Sequence, residues 1–212
     1  MRIMVLAFLL AASASAAFAQ TTAEDFNDAG DVKSFKAYGK DATPEAADAA
    51  IADFDSAIRL KADYHKAYNG RANVKLQKGD LDGALSDYSK AIEFGPTVGA
   101  YYSNRASIRE KMADVKGALA DASKAISLTK STSPSTLSRV YLFRGRIRHN
   151  SKDHAGAIVD FNKALEVKPD YFAVRGSRAE AYRALGKNKL ADADEKIYEE
   201  EGRKFEEKLF GK

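Results

Sequence analysis

The sequence predicts an all-α solenoid of antiparallel helical hairpins, and three observations carry that prediction. One nine-residue pattern is written four times at a nearly constant interval, each copy has helical rather than strand periodicity, and a second pattern precedes three of the copies by a constant distance.

The four copies begin at Ala50 (AIADFDSAI), Ala84 (ALSDYSKAI), Ala118 (ALADASKAI) and Ala157 (AIVDFNKAL), with their first alanines 34, 34 and 39 residues apart. Another 34 residues leads to Ala191, where ADADEKIYE keeps the Ala and the Asp but lacks the aromatic and the second Ala. In the second copy Ala84, Tyr88, Ala91 and Ile92 recur at i, i+4, i+7 and i+8. That spacing places them on one helical stripe with Asp87 beside it. The small alanines admit a neighbouring helix, and the aromatic fills the space above them.

The upstream pattern starts at Tyr68, Tyr102 and Tyr141, each sixteen residues before the alanines at 84, 118 and 157. Each tyrosine is followed by an arginine and a small residue: Arg71-Ala72, Arg105-Ala106 and Arg144-Gly145, with Arg178-Ala179 repeating the pair before Ala191. Short breakers separate the two patterns, at Lys78-Gly79-Asp80, Ala113-Asp114, Lys152-Asp153 and Leu185-Gly186-Lys187. Gly ends one helix and Asp caps the next. The unit is therefore a helix of about a dozen residues, a tight turn and a second such helix. Pro96 and Pro169 close two units, because proline has no amide hydrogen with which to continue a helix.

These residues resemble the tetratricopeptide repeat (TPR), whose 34-residue helix-turn-helix units carry a Tyr or Trp, a Gly or Ala, an Ala, an aromatic, an Ala and a Pro at fixed offsets. The resemblance spans residues 42–200 and implies a right-handed solenoid of about four and a half repeats with a C-terminal capping helix. The unit from Gly99 departs from the pattern: Ala122 stands in place of the aromatic, Lys130 in place of the proline, and residues 131–136 add five residues. The expected organisation is a flexible segment over residues 20–42, a partial repeat with only its second helix over 43–64, and repeats at 65–98, 99–132 and 133–171. A degenerate repeat and the capping helix occupy 172–212.

The first nineteen residues differ from the rest. Arg2 precedes an apolar run over residues 3–12, and Ala17-Phe18-Ala19 has the small-x-small form that signal peptidase accepts. The reading is a secretory signal removed before Gln20, and with it an exported protein, periplasmic or secreted, in a bacterium. The run is too short and too rich in Ala and Ser for stable membrane insertion. The 212 residues include no cysteine, so disulfides and thiolate metal sites play no part. A net charge of +4 from 34 basic and 30 acidic side chains is dispersed along the chain, which argues against a nucleic-acid partner.

No catalytic constellation, cofactor motif or metal site is read from the sequence, and the expectation is a non-enzymatic protein. His65, His149 and His154 lack the i, i+4 spacing that brings two imidazoles to one helix face, so they read as solvated polar residues; for His149 and His154, five apart across a breaker, an adventitious metal contact is the alternative. Arg71, Arg105, Arg144 and Arg178 stand sixteen residues before Asp87, Asp121, Asp160 and Asp194, which reads as a structural ion pair within each hairpin.

The resemblance places a binding groove on the concave face, lined by first helices. Its positions fall on Lys66, Asn69, Asn73 and Gln77; on Ser103, Asn104, Ser107 and Lys111; on Arg139, Leu142, Phe143, Arg146 and Asn150; and on Ser177, Glu180 and Arg183. Five cations against one carboxylate imply a protein or peptide partner with an acidic segment or a free C-terminus. One subclass of the family grips terminal carboxylates with a clamp of Lys, Asn, Asn, Lys and Arg. Asn73, Asn104 and Arg139 match that clamp, whereas Asn69 and Phe143 replace its Lys and Arg. The function implied is a protein-interaction scaffold or adaptor; the alternative is a structural protein that self-associates into homo-oligomers through its exposed solenoid ends.

Overall fold

The computed structural model describes residues 21–37, 43–129 and 133–211. The signal proposed for residues 1–19 lies outside the described residues. Ten helices and no strand are present among the described residues: α1 (Ala23–Ala37), α2 (Pro44–Leu60), α3 (His65–Gln77), α4 (Leu81–Phe94), α5 (Gly99–Lys111), α6 (Val115–Thr129), α7 (Pro134–Asn150), α8 (His154–Val167), α9 (Ala173–Ala184) and α10 (Asn188–Phe210). Consecutive odd and even helices form five hairpins, and each even helix then packs on the next odd one. The pairs that also touch across a hairpin are α1 with α3 and α7 with α9, all first helices, so first helices line the inner wall of the stack.

The turn inside each hairpin is built the same way three times. The backbone turns through a left-handed residue, Gly79 (φ 80°), Ala113 (φ 62°) or Lys152 (φ 72°). The following Asp amide then bonds back to the first helix: Asp80 to the Lys75 carbonyl at 2.9 Å, Asp114 to Arg109 at 2.8 Å and Asp153 to Arg148 at 2.9 Å. The same Asp caps the second helix by accepting from the amide of Gly83, Gly117 or Gly156, each at 2.9 Å. A Cβ at any of these three glycines would sit 2.1 Å from the capping carboxylate, so the Asp and the Gly are required as a pair. The fifth hairpin has Lys187 and Leu190 at those positions, and no side chain caps α10.

Across hairpins the packing alternates large and small. The Phe54 ring fills the space between α1 and α3 because Gly30 and Gly70 lie against it, and a Cβ at either would come within 2.8 or 2.5 Å of the ring. Gly145 makes the same close approach to Phe161. The alanines at 57, 91, 125 and 164 are fully buried, each at the point where the next first helix crosses.

One expectation is corrected. The N-terminal segment is not a flexible lead into a partial repeat: Ala23–Ala37 is a helix that packs along α2 and completes the first hairpin. Phe26, Gly30 and Lys33 occupy the places of Tyr68, Ala72 and Lys75, but Phe26 precedes Ala50 by 24 residues where Tyr68 precedes Ala84 by 16. The longer connection hid the unit. At the other end the capping helix expected near the C-terminus is present as α10, one 23-residue helix that also serves as the second helix of the fifth hairpin and continues beyond it. The insertion at 131–136 partly becomes structure: Ser133 caps α7 by accepting from the Thr136 amide at 3.2 Å, and residues 134–136 form its first turn.

Both ends depart from the internal pattern. Where α3 presents Ala67, Gly70 and Val74 to the preceding hairpin, α1 carries Asp25, Asp28 and Val32. Where the second helices carry buried Phe54 and Ala57, or Tyr88 and Ala91, α10 carries Glu195 and Tyr198. Another hairpin added in the internal register would bury carboxylates at one end and meet a tyrosine in place of alanine at the other. End-to-end growth of the stack is thereby disfavoured.

Left-handed geometry strains any residue with a Cβ. Ala113→Gly and Lys152→Gly should each raise stability by about 0.5 kcal/mol, the relief being partly offset by the freer unfolded chain. Urea titration checks this as a rise in midpoint at unchanged slope.

Candidate functional site

The inner wall is set by charge as much as by packing. Each hairpin arginine forms a two-pronged bond with the Asp of its second helix: Arg71 with Asp87 at 2.8 and 2.6 Å, Arg105 with Asp121 at 2.8 Å twice, Arg144 with Asp160 at 3.0 and 2.6 Å, and Arg178 with Asp194 at 2.6 and 2.7 Å. The remaining arginine nitrogen reaches back one hairpin, to Asp55 at 2.5 Å, Ser89 at 3.2 Å, Ser123 at 2.9 Å and Asn162 at 2.7 Å. A second cation completes each carboxylate: Lys75, Arg109, Arg148 and Arg175. Its two acidic partners hold the Arg71 guanidinium above its usual range, although burial works against them. The first hairpin has Ala29 in place of the arginine. There Lys33 Nζ lies 2.6 Å from Asp53 Oδ2, off the hydrogen-bond direction.

With those arginines committed, the expected groove residues separate into two groups. Several are tied into the wall. Asn104 donates to Asn69 Oδ1 at 3.0 Å across α5 and α3, Asn73 accepts from the Tyr88 hydroxyl at 2.5 Å, and Asn150 donates to Glu110 at 3.2 Å. Gln77 is exposed and has a bonded partner of its own. Arg183 is held by Asp192 and Glu195 of α10. Lys66 is exposed within electrostatic reach of Asp31, whose carboxyl burial pushes upward. The others face outward from α5 and α7: among the described residues Lys111, Arg139 and Arg146 are exposed and make no ion pair.

Arg139, Phe143, Arg146 and Asn150 succeed one another at four, three and four residues, so they form one stripe along α7. Against it α5 presents Ser103 and Ser107, and the two helices enclose an open pocket of about 260 Å³ lined by Ser103, Ser107, Arg139, Val140 and Phe143. Its floor is apolar, its rim carries two hydroxyls, and a guanidinium stands at one edge. Larger clefts of about 330 and 380 Å³ lie at the C-terminal end, around Phe172, Ile197, Tyr198 and Phe205. They are formed where α10 runs past its hairpin rather than between facing first helices.

Phe143 has a role the repeat pattern did not reveal. It packs on the cluster of Ala106, Ala118, Ala122 and Ile147, and so supplies from α7 the bulk that α6 lacks at Ala122. Small-on-large at Gly70 and Phe54 becomes large-on-small here. The signal was present in the sequence as two departures, Ala122 and Phe143, each odd alone and complementary together.

The histidines also differ from the solvated reading. His65 Nδ1 lies 2.7 Å from the Tyr101 hydroxyl, and His149 and His154 are half-buried with their Nδ1 atoms 3.1 Å apart. Burial, and then His154 beside it, hold the His149 pKa below the usual histidine value. Among the described residues no group of three or more His, Asp and Glu side chains stands close enough to hold a metal ion, and no helix is long and apolar enough to cross a membrane.

A family model described as tetratricopeptide repeat matches residues 65–96 and 138–171. Solved structures match the whole stack. A crystal structure of MamA protein aligns with TM-score 0.72 at 18% identity, covering 90% of this chain and 96% of that one. The fold is a tetratricopeptide-repeat solenoid. YrrB, described as a TPR protein with an unusual peptide-binding site, aligns with TM-score 0.67 at 17% identity over 86% of this chain and 88% of its own. PilF of Pseudomonas aeruginosa aligns with TM-score 0.70 at 16% identity over 84% and 78%. No curated protein sequence matches the chain. TPR geometry accounts for the shared solenoid, while the pocket between α5 and α7 is built from this chain's own departures.

Phe143→Ala should cost about 2 kcal/mol, since a half-buried ring is removed from a closed cluster. Ala122→Phe alone should also destabilise by overpacking. Combined in one chain, the two changes should cost less than their sum by roughly 1 kcal/mol, which chemical denaturation of the four proteins in a double-mutant cycle measures.

Proposed function

We propose that this protein is a non-catalytic adaptor that binds an acidic peptide or protein segment along the inner face of α5 and α7. The observation that carries the reading is the stripe of Arg139, Phe143 and Arg146 facing Ser103 and Ser107 across an open pocket. Two cations without internal partners flank an apolar surface, which suits a carboxylate set beside an apolar side chain. The hydroxyls can bond an extended backbone.

A non-catalytic role is supported by how the buried carboxylates are used. Asp87, Asp121, Asp160 and Asp194 are each bonded to two cations of the stack, so their oxygens are taken up by structural partners. YrrB, of like fold, carries a peptide-binding site by its description, which makes peptide recognition a natural use of such a wall. The N-terminal pattern of Arg2, an apolar run and Ala17-Phe18-Ala19 supports export to a bacterial periplasm or medium. Export predicts that protein recovered from the producing cells begins at Gln20, which intact-mass measurement and fractionation read directly; full-length protein retained in the cytoplasm overturns it.

The groove assignment is tested with fluorescent peptides that pair an acidic residue with a neighbouring Leu or Phe, offered with free and with amidated C-termini. Arg139→Glu with Arg146→Glu should weaken binding at least ~10-fold, and rising salt should weaken the natural protein's binding in parallel. Equal loss for both peptide forms assigns an internal acidic segment, and loss confined to the free form assigns a terminal carboxylate. Affinity unchanged in the double variant removes the groove from consideration.

A further inference from the structure

We propose that His149 and His154 form a two-nitrogen binding site for a borderline transition-metal dication of the zinc or nickel type. The two residues are five apart, at the last turn of α7 and the first residue of α8. Between them the chain is held on both sides. Lys152 takes the left-handed conformation at φ 72°, the Asp153 amide bonds to the Arg148 carbonyl at 2.9 Å, and the Asp153 carboxylate caps α8 through Gly156 at 2.9 Å. The separation of the two imidazoles is therefore set by the hairpin turn and not by chance contact of mobile side chains.

The rings stand with centroids 4.7 Å apart and planes at 59°, and their Nδ1 atoms approach to 3.1 Å. Two imidazole nitrogens can share that distance only when one donates its hydrogen to the other's lone pair. Burial and the neighbouring His154 lower the His149 pKa, Lys152 adds to the lowering, and Glu180 of α9 opposes it. The hydrogen bond between the rings itself requires one of them to be neutral, and a neutral imidazole is the ligating form. If the ring that carries its hydrogen on Nδ1 moves it to Nε2, no net proton is released, and both Nδ1 lone pairs are freed to turn from the N–N axis toward one ion as the rings rotate. An ion at about 2.0–2.1 Å from each nitrogen would then subtend roughly 100° between them, intermediate between square and tetrahedral demands. Imidazole ligands select zinc, nickel and copper over magnesium and calcium. No third His, Asp or Glu side chain joins the pair among the described residues, so water completes the shell. The third histidine lies apart on α3, with its Nδ1 engaged with Tyr101.

The test is titration of the full chain with zinc chloride and nickel chloride, with magnesium chloride as control, followed by calorimetry and by ¹⁵N spectra of the histidine rings. One saturable ion per chain is expected, with Nδ1 of His149 and His154 both shifted and His65 unmoved. Affinity should fall at least ~10-fold in His149→Ala and in His154→Gln, each checked for an unchanged helical spectrum. Absence of saturable zinc or nickel binding overturns the site. So does affinity unchanged in both variants, or ¹⁵N shifts confined to His65.

Discussion

The bidentate bond between the hairpin arginine and the aspartate sixteen residues later is the constraint on which the stack depends. Its geometry is demanding, because a guanidinium meets a carboxylate in one plane with two parallel hydrogen bonds. Placing that fork between the two helices of a hairpin sets their rotation and rise. The third nitrogen then reaches the preceding hairpin, so a single side chain relates three helices. The Asp side chains are only 1–6% exposed in the four complete pairs, and such buried pairs contribute more to choosing one register than to net stability. Apolar contact supplies the cohesion; the fork decides the angle at which it is made.

What was legible in the sequence follows from that division. Repetition at 34 residues exposes every hairpin that keeps the sixteen-residue interval between Tyr and Ala, and Arg-Asp pairing could be read from the same arithmetic. The first hairpin escaped because eight extra residues separate Phe26 from Ala50 and because Ala29 replaces the arginine, so both markers failed together. Local composition misled as well. Asp25 and Asp28 give α1 a polar character that suggests a loose tail, yet they hold the places that Ala67 and Gly70 take on α3.

The inner wall was legible as a list of positions but not as a set of roles. Sequence places Asn69, Asn73, Asn104 and Asn150 on the right face, and only side-chain geometry shows their amides already joined to one another, to Tyr88 or to Glu110. The same holds for Arg183, which belongs to the ion-pair system of α10. Arg139 and Arg146 remain exposed and without an ion pair among the described residues, while Glu110 of the neighbouring α5 is taken by Asn150. The histidine pair reads as solvated in the sequence for a related reason: its spacing of five is unhelpful on one helix, and only the built turn shows how close the two rings come.

The exchange of bulk between Ala122 and Phe143 makes the hairpins unequal parts. In an array of identical units any member can follow any other, and unequal recombination can lengthen or shorten it without mismatch. Here the third hairpin ends in a hollow that the fourth alone fills, while the first ends in a ring that needs the glycine of the second. Duplicating the fourth unit would set Phe161 against Phe143, and deleting the fourth would leave the hollow at Ala122 unfilled. Copy number in this gene is therefore guarded by steric fit, and the order of the units is written into the shapes of their shared surfaces.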